Sequence, residues 1–445
     1  VTASSPSPYG LFDDILVIGD LSWDEVNIHS NLPFLGDFKD SATFEFEKLG
    51  GGAGNVAQVL NQMIRHFNGN VGVTLATKLG KAETAFTPPE RDFNTIRDMI
   101  AYSIQTTSDF PQLRRALANA IVTTFGKNNK NEAIRDKAQE TLEQCEHITE
   151  IMDLLPDERN VVPKNKVISF RGGRFISKQP LSQVFKAATK KQSGLERYQT
   201  EQLEALKEKI KKTKIVVLQS NDSALAKFTV DIASEHNIPV VMDYSVSDRK
   251  LAEQFDDILP KCDVILAPGE AKLSGKDPCI TRTWLSRIFH EDTAAKMNSG
   301  LDFITRRDAA QVLFAELIKR LKNAVISVSD GKKPVLVSAC GEDDTIEITP
   351  AKKCVDQLGT GDTRTAAFVY FMLKAMQEKH YAPLEKEDYV KCLKKASVVA
   401  TLSVEHPGFE WFEHIGTLQE TFDAIDGIAK NTTQNATLDV YEHAL

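Results

Sequence analysis

Between residues 215 and 266, short β-branched apolar runs alternate with stretches long enough to be helices, and this alternation constrains the fold more than any other feature. Residues 215–218 (IVVL), 239–242 (PVVM) and 264–266 (VIL) read as strands, and 224–235 and 248–259 as helices. A strand followed by a helix of that length returns to the sheet parallel to its predecessor, by a right-handed crossover. Apolar runs without polar alternation belong to strands covered on both faces. The same reading gives strands at 15–18, closed by Gly19-Asp20, and at 71–76 and 324–328. Residues 335–338 and 346–348 form a hairpin across Gly341, and helices are expected at 56–67, 309–321, 363–375 and 389–404. The fold class is α/β with a mainly parallel central sheet.

Two regions depart from this pattern. Residues 44–49 alternate apolar and polar, as a half-exposed strand does, and 166–176 show strand character around Gly172-Gly173. Together with 27–33 they read as a small β lid, with strands at about 27–49 and 164–177. Residues 82–157 carry apolar side chains at helical spacing (Ile96, Met99, Ile100, Ile104; Leu113, Leu117, Ile121; Ile148, Ile151, Leu154, Leu155) and are expected to be a helical insertion. The main domain would span 10–412, and 413–445 is weakly patterned, as a peripheral C-terminal extension would be.

Composition excludes several functional classes. Of 445 residues 42% are hydrophobic, so a packed core is expected rather than disorder. The net charge of -8 argues against a nucleic-acid partner, whose binding surface is usually basic. Six cysteines without a CxxC pair argue against structural zinc and fit a reducing compartment. No apolar run reaches the roughly 18 residues needed to cross a bilayer, so no membrane partner is expected. The chain begins at Val1, without a Met, on a Ser- and Pro-bearing stub. That start suggests a removed leader or tag, and hence a cytoplasmic location or an organelle lumen after leader removal.

Three segments carry the chemistry. Asp356-Gln357-Leu358-Gly359-Thr360-Gly361-Asp362-Thr363 runs directly into a helix. Gly359 and Gly361 allow a tight turn and close ligand approach, and the free N–H groups of the helix start attract anions. Asp362 could take the proton of an attacking hydroxyl, or could be no more than a helix cap. Gly50-Gly51-Gly52-Ala53-Gly54-Asn55 is a second Gly-rich strand–helix junction. Gly19-Asp20-Leu21-Ser22-Trp23-Asp24 places carboxylates just past the first strand, where ligands bind in open α/β sheets.

In this order and spacing the three segments resemble the ribokinase (PfkB-type) carbohydrate kinases, which pair a first-strand Asp with a GGxxxN turn and end in DTxGAGD. The resemblance implies a ribokinase-like three-layer sandwich with a β lid. It also implies ATP with Mg2+ as cofactor, and a sugar or sugar phosphate as substrate. On the family pattern Asp24, Gly50, Gly51 and Asn55 contact the sugar, Gly359, Thr360 and Gly361 form the anion hole, and Asp362 is the base. The nucleotide side would comprise Lys272, Ser327, Ser329, His406 and Gly408. Within the family the sequence is most similar to bacterial heptose-phosphate kinases. Lys166, Arg171 and Arg174 on the lid would meet a phosphate on the substrate or be solvated. Many relatives pair through the lid, so a homodimer is expected there, or an assembly through residues 82–157.

The sequence also departs from the family. Its NxxE motif, which orders magnesium, is replaced at the aligned positions by Gly269 and Lys272, with Glu270 between them. Ser327-Val328-Ser329 stands where the family has TxG, Gln357 replaces a Thr, and Arg364 replaces a bulky apolar residue. Arg364 would face a second phosphate or solvent. These changes leave two alternatives to a sugar kinase: a catalytically inactive pseudokinase acting as a scaffold or binding module, and a nucleoside kinase of the same fold.

Overall fold

The computed structural model describes residues 13–29, 44–67, 69–78, 134–154, 164–170, 173–178, 194–219, 222–246, 252–269, 271, 306–331, 333–339, 341–347, 351–356 and 358–427. The central sheet has nine strands in the order β13-β12-β11-β10-β9-β8-β1-β4-β5. These are β1 (Asp13–Ile18), β4 (Val71–Thr77), β5 (Ile148–Asp153), β8 (Ile215–Gln219), β9 (Val240–Asp243), β10 (Val264–Pro268), β11 (Val325–Ser329), β12 (Val335–Ala339) and β13 (Glu342–Ile346). Pairing is parallel from β5 to β11 and antiparallel through the β12–β13 hairpin, which turns at Gly341 with φ 80°.

Helices cover both faces because the strands are apolar on both. In β1, Ile15 and Val17 join one core while Leu16 and Ile18 join the other. The first core holds α1 (Gly52–His66), α2 (Ile134–Glu143), α6 (Thr360–Glu378), α7 (Lys386–Val404) and α8 (Gln419–Asp426). The second holds α3 (Thr200–Ile210), α4 (Ser223–Glu235) and α5 (Arg306–Arg320). This is the three-layer arrangement expected from the alternating pattern.

Above the carboxyl end of the sheet lies a four-stranded lid in the order β3-β2-β6-β7, formed by β2 (Ser22–His29), β3 (Phe44–Gly50), β6 (Lys164–Phe170) and β7 (Gly173–Lys178). Alternation splits its first hairpin cleanly. Ser22, Asp24, Val26 and Ile28 pair with Gly50, Lys48, Phe46 and Phe44, and side chains opposite one another share a face. The other face sends Trp23 and Leu49 into the core beside α1 and α2. Lys137 of α2 buttresses it, 3.5 Å from Glu47 and over the Trp23 ring.

Several expectations are corrected. Residues 148–153, read as helical, form edge strand β5. A bulge explains the misleading spacing: Val73 pairs with Ile148 and Thr74 with Glu150, so Thr149 is the extra residue. The bulge brings Ile148 and Ile151, three apart in sequence, onto the same core. Residues 82–133 lie outside the described residues. Of the helix expected at 248–259, residues 254–258 are turn, closing in a 3-10 turn at Leu259–Lys261. The start of the C-terminal extension is no appendage either. A 3-10 segment, Glu410–Leu418, and α8 bury Trp411, Ile415 and Phe422 in the main core, at 1, 1 and 3% exposure. Residues 428–445 lie outside the described residues.

Candidate active site

The turn before α6 begins with a buried carboxylate. Asp356, 2% exposed, accepts the Leu358 N–H at 2.8 Å with Oδ1 and the Gly408 N–H at 3.1 Å with Oδ2. It therefore staples the turn to the loop that follows α7. Gly359 then adopts φ 76°, a conformation that costs other residues strain, and serves as the N-cap with no side-chain cap bond. The first turn of α6 thus presents main-chain N–H groups without a capping side chain. Gly361 is exposed, and nothing lies within 4 Å of where a Cβ would be. The helix start is therefore open at Gly361 and carries the positive end of the helix dipole.

Asp362 is not the cap. Its Oδ2 accepts the Nδ2 amide of Asn55 at 2.7 Å, across 307 residues of sequence. Asn55 is 5% exposed, and its Oδ1 has no hydrogen-bond partner among the described residues. The turn that carries Asn55 is shaped by close approach. Gly51, at φ 77°, passes so near Asp20 that a Cβ would sit 2.5 Å from the Asp20 carbonyl oxygen. A Cβ on Gly50 would fall 2.0 Å from Asp24 Oδ2, so this glycine leaves room for the carboxylate. Asp24 is 4% exposed and accepts the Ser22 hydroxyl at 2.8 Å. It lies on lid strand β2 rather than in a loop after β1.

Beneath the turn, Gln219 at the end of β8 donates to Asp243 Oδ2 at 3.2 Å, and the Thr365 hydroxyl donates to the same oxygen at 3.0 Å. Burial raises the Asp243 pKa, opposed by these donors and by Arg364. Arg364 is 7% exposed, so it faces neither solvent nor the open helix start as expected. Burial lowers its pKa to about 10, and the charge of Asp243 works against that fall. The Thr365–Asp243 bond ties the N-terminal part of α6 to the end of β9.

The lid residue Lys48 was not singled out by sequence reasoning. It is 8% exposed, lies directly across from Asp24, and places Nζ 3.7 Å from the Cβ position of Gly359 and 4.8 Å from the Phe409 ring centroid. Its signal in the sequence was the alternation of 44–49, which puts it on the face of Phe46. Phe46 in turn reaches Gly408, which has φ 54° and whose Cβ would lie 3.1 Å from the ring.

The residues assigned to the nucleotide side separate. Ser329 lies at the carboxyl edge of β11, and its carbonyl accepts the Gly269 N–H at 2.7 Å. Ser327 is 0% exposed in mid-strand and is not brought to the site, because its side chain is covered by the core. Gly408 is at the site, and His406 stacks on His414 at 4.3 Å. Gly269 is packed so closely that a Cβ would be 2.8 Å from Ala310 Cβ. Lys272, Glu270, Gln357 and Arg171 lie outside the described residues, while Lys166 and Arg174 stand on β6 and β7.

The described residues do not fit a protein-held magnesium ion. Magnesium is usually bound through carboxylates together with phosphate oxygens. Here the Asp356 and Asp243 carboxylates are engaged as described above. No group of three or more His, Cys, Asp or Glu side chains among the described residues could hold a metal. A small cavity at the ends of β1 and β8 is lined by its own polar network. Lys78 meets Asp20 at 3.4 Å and Asp222 at 3.2 Å, and the Tyr198 hydroxyl donates to Asp222 at 2.5 Å.

Among the described residues no helix is long and apolar enough to cross a membrane. No curated protein matches the chain in sequence. Among solved structures, a microbiome-derived acarbose kinase superposes with a TM-score of 0.51 at 13% identity, over 89% of this chain and 94% of its own. Ribokinase from Giardia lamblia gives a TM-score of 0.51 at 13% identity, over 94% of this chain and 99% of its own. Residues 290–410, which contain the α6 turn, match the pfkB family of carbohydrate kinases. The chain therefore has the ribokinase-like α/β fold, with a pfkB-type sequence signature over the segment that contains the α6 turn.

Proposed function

We propose that this protein is an ATP-dependent phosphotransferase acting on a hydroxyl group of a sugar or sugar phosphate. The observation that carries the reading is the Asn55–Asp362 hydrogen bond, which joins the Gly-rich turn beside Asp24 to the uncapped start of α6. The pfkB match over 290–410 supports it. ATP supplies the phosphoryl group. The N–H groups of Thr360 and Gly361 hold its oxygens, and Asp24 and Asn55 orient the acceptor. Asp362 takes the acceptor proton as the acceptor oxygen bonds to phosphorus and the bond to the diphosphate breaks. Such transfer relies on positioning and electrostatics more than on covalent help. Ser329, His406 and Gly408 would border the nucleotide.

The test is ATP consumption over a panel of sugars, sugar phosphates and nucleosides, which also separates the sugar-kinase from the nucleoside-kinase reading. Turnover with a sugar or sugar phosphate, lost in Asp362→Asn, is expected. Absence of turnover with every acceptor would overturn the reading. A second reading, a scaffold without catalysis, is favoured by one observation: Gly269 packs on Ala310 where the related motif has an amide side chain. A scaffold would show no midpoint shift in thermal unfolding with millimolar ATP and magnesium, whereas a nucleotide binder is stabilised by linkage.

A further inference from the structure

Lys48 is a buried ammonium at the N-terminal end of a helix. The helix N-terminus already carries positive partial charge, so a cation is unfavourable at that place unless anions share it. Asp24, across the β2–β3 pair, and Asp362, on the first turn of α6, are the resident carboxylates. Burial strengthens the interaction of Lys48 with any further anion, because little water screens it. Its Nζ stands beside Gly359, where the turn also exposes Gly361. The neighbouring Asn55 Oδ1, buried and without a partner among the described residues, offers an acceptor to a ligand hydroxyl at the same spot.

We propose that Lys48 is a catalytic residue supplied by the lid, its ammonium binding the oxygens of the phosphoryl group held at the Gly359–Gly361 turn. This rests on the phosphotransferase reading. Lys48 remains protonated throughout: the acceptor proton goes to Asp362, and the electron pair of the broken P–O bond leaves with the diphosphate. The site's cation thus travels with the lid, so that full charge compensation is reached only when β2 and β3 sit over α6.

The experiment uses the full chain, inorganic phosphate as probe and chloride at matched ionic strength as control. Phosphate should raise the thermal midpoint of the unsubstituted protein and of Asp362→Asn. In Lys48→Met the shift should fall to that seen with chloride. With an accepted substrate, Lys48→Met should lower kcat about 10²–10³-fold with little change in the acceptor KM. If Lys48→Met does not fold, acetylation of Lys48 in the unsubstituted protein decides, read by mass spectrometry: phosphate should slow it. An undiminished phosphate shift and kcat in Lys48→Met, or a labelling rate indifferent to phosphate, would overturn the proposal while leaving a kinase intact. A Lys48-dependent phosphate shift in a protein with no turnover on any acceptor would instead keep the anion site and remove the kinase reading.

Discussion

Asn55 Nδ2 donates to Asp362 Oδ2 at 2.7 Å, and by that bond the Gly-rich turn before α1 and the first turn of α6 become one site. Removal of the base in Asp362→Asn should reduce kcat by about 10²–10⁴-fold. Asn55→Ala should act through orientation, with a smaller loss in kcat and a raised acceptor KM, because the orphan Oδ1 is lost with the amide. Steady-state kinetics of the two variants against one accepted substrate checks the ordering.

The glycines separate strain from collision. Gly359→Ala adds a Cβ with only ordinary contacts, at 3.5 Å from Asn55 Nδ2 and 3.7 Å from Lys48 Nζ. Its cost should be that of a left-handed backbone, about 1–2 kcal/mol. Gly51→Ala meets backbone at 2.5 Å as well, so it should cost more. Chemical unfolding of both variants should preserve that order.

Arg364 and Asp243 are buried opposite charges that act on each other through space without a contact ion pair. Arg364→Met or Asp243→Asn alone should be destabilising, because each removes charge compensation from the other buried group. The double variant should recover part of that loss. Purely additive losses in a double-mutant cycle would show that the two charges do not interact.

Stability should fall on the acid side through His406. Burial first, then His414 and Lys353, hold its pKa below the ordinary 6.5. The folded state therefore prefers neutral imidazole, while the unfolded chain takes up a proton near pH 6.5. Stability linked to this group is complete above that pH and is lost as pH drops below it. Urea unfolding between about pH 7.5 and about pH 5.5 should show the slope, and His406→Gln should flatten it.

Phe422 tests the status of the C-terminal segment, and Trp411, just inside the main domain, sets the core reference. Phe422→Ala or Trp411→Ala should cost about 3–5 kcal/mol, as for any large core truncation. A peripheral extension would lose far less, and denaturant midpoints distinguish the two.

What the sequence made legible follows from where the physics is local. Buried strands such as β1 and β8 announce themselves by unbroken apolar runs, and the turn at 356–363 by its glycines. The edge strand β5 was obscured because its bulge converts a period of two into a spacing of three. Ser327 is assigned by its alignment with the family's TxG step, yet its direction into the core depends on register. Arg364 reads in sequence as a charge facing a phosphate or solvent, because its burial depends on packing against residues distant in sequence. Lys48 was passed over for a similar reason: its meaning comes from Asp24 across the hairpin and Gly359 below, not from its neighbours in sequence.

The 307-residue span of the Asn55–Asp362 bond also bears on biogenesis. A ribosome-bound chain lacking α6 holds only half of the reactive centre, and the other half emerges near the end of synthesis. Such long-range closure is slow. Competence for chemistry should therefore arise late and all at once, and a chain released early should carry none of it.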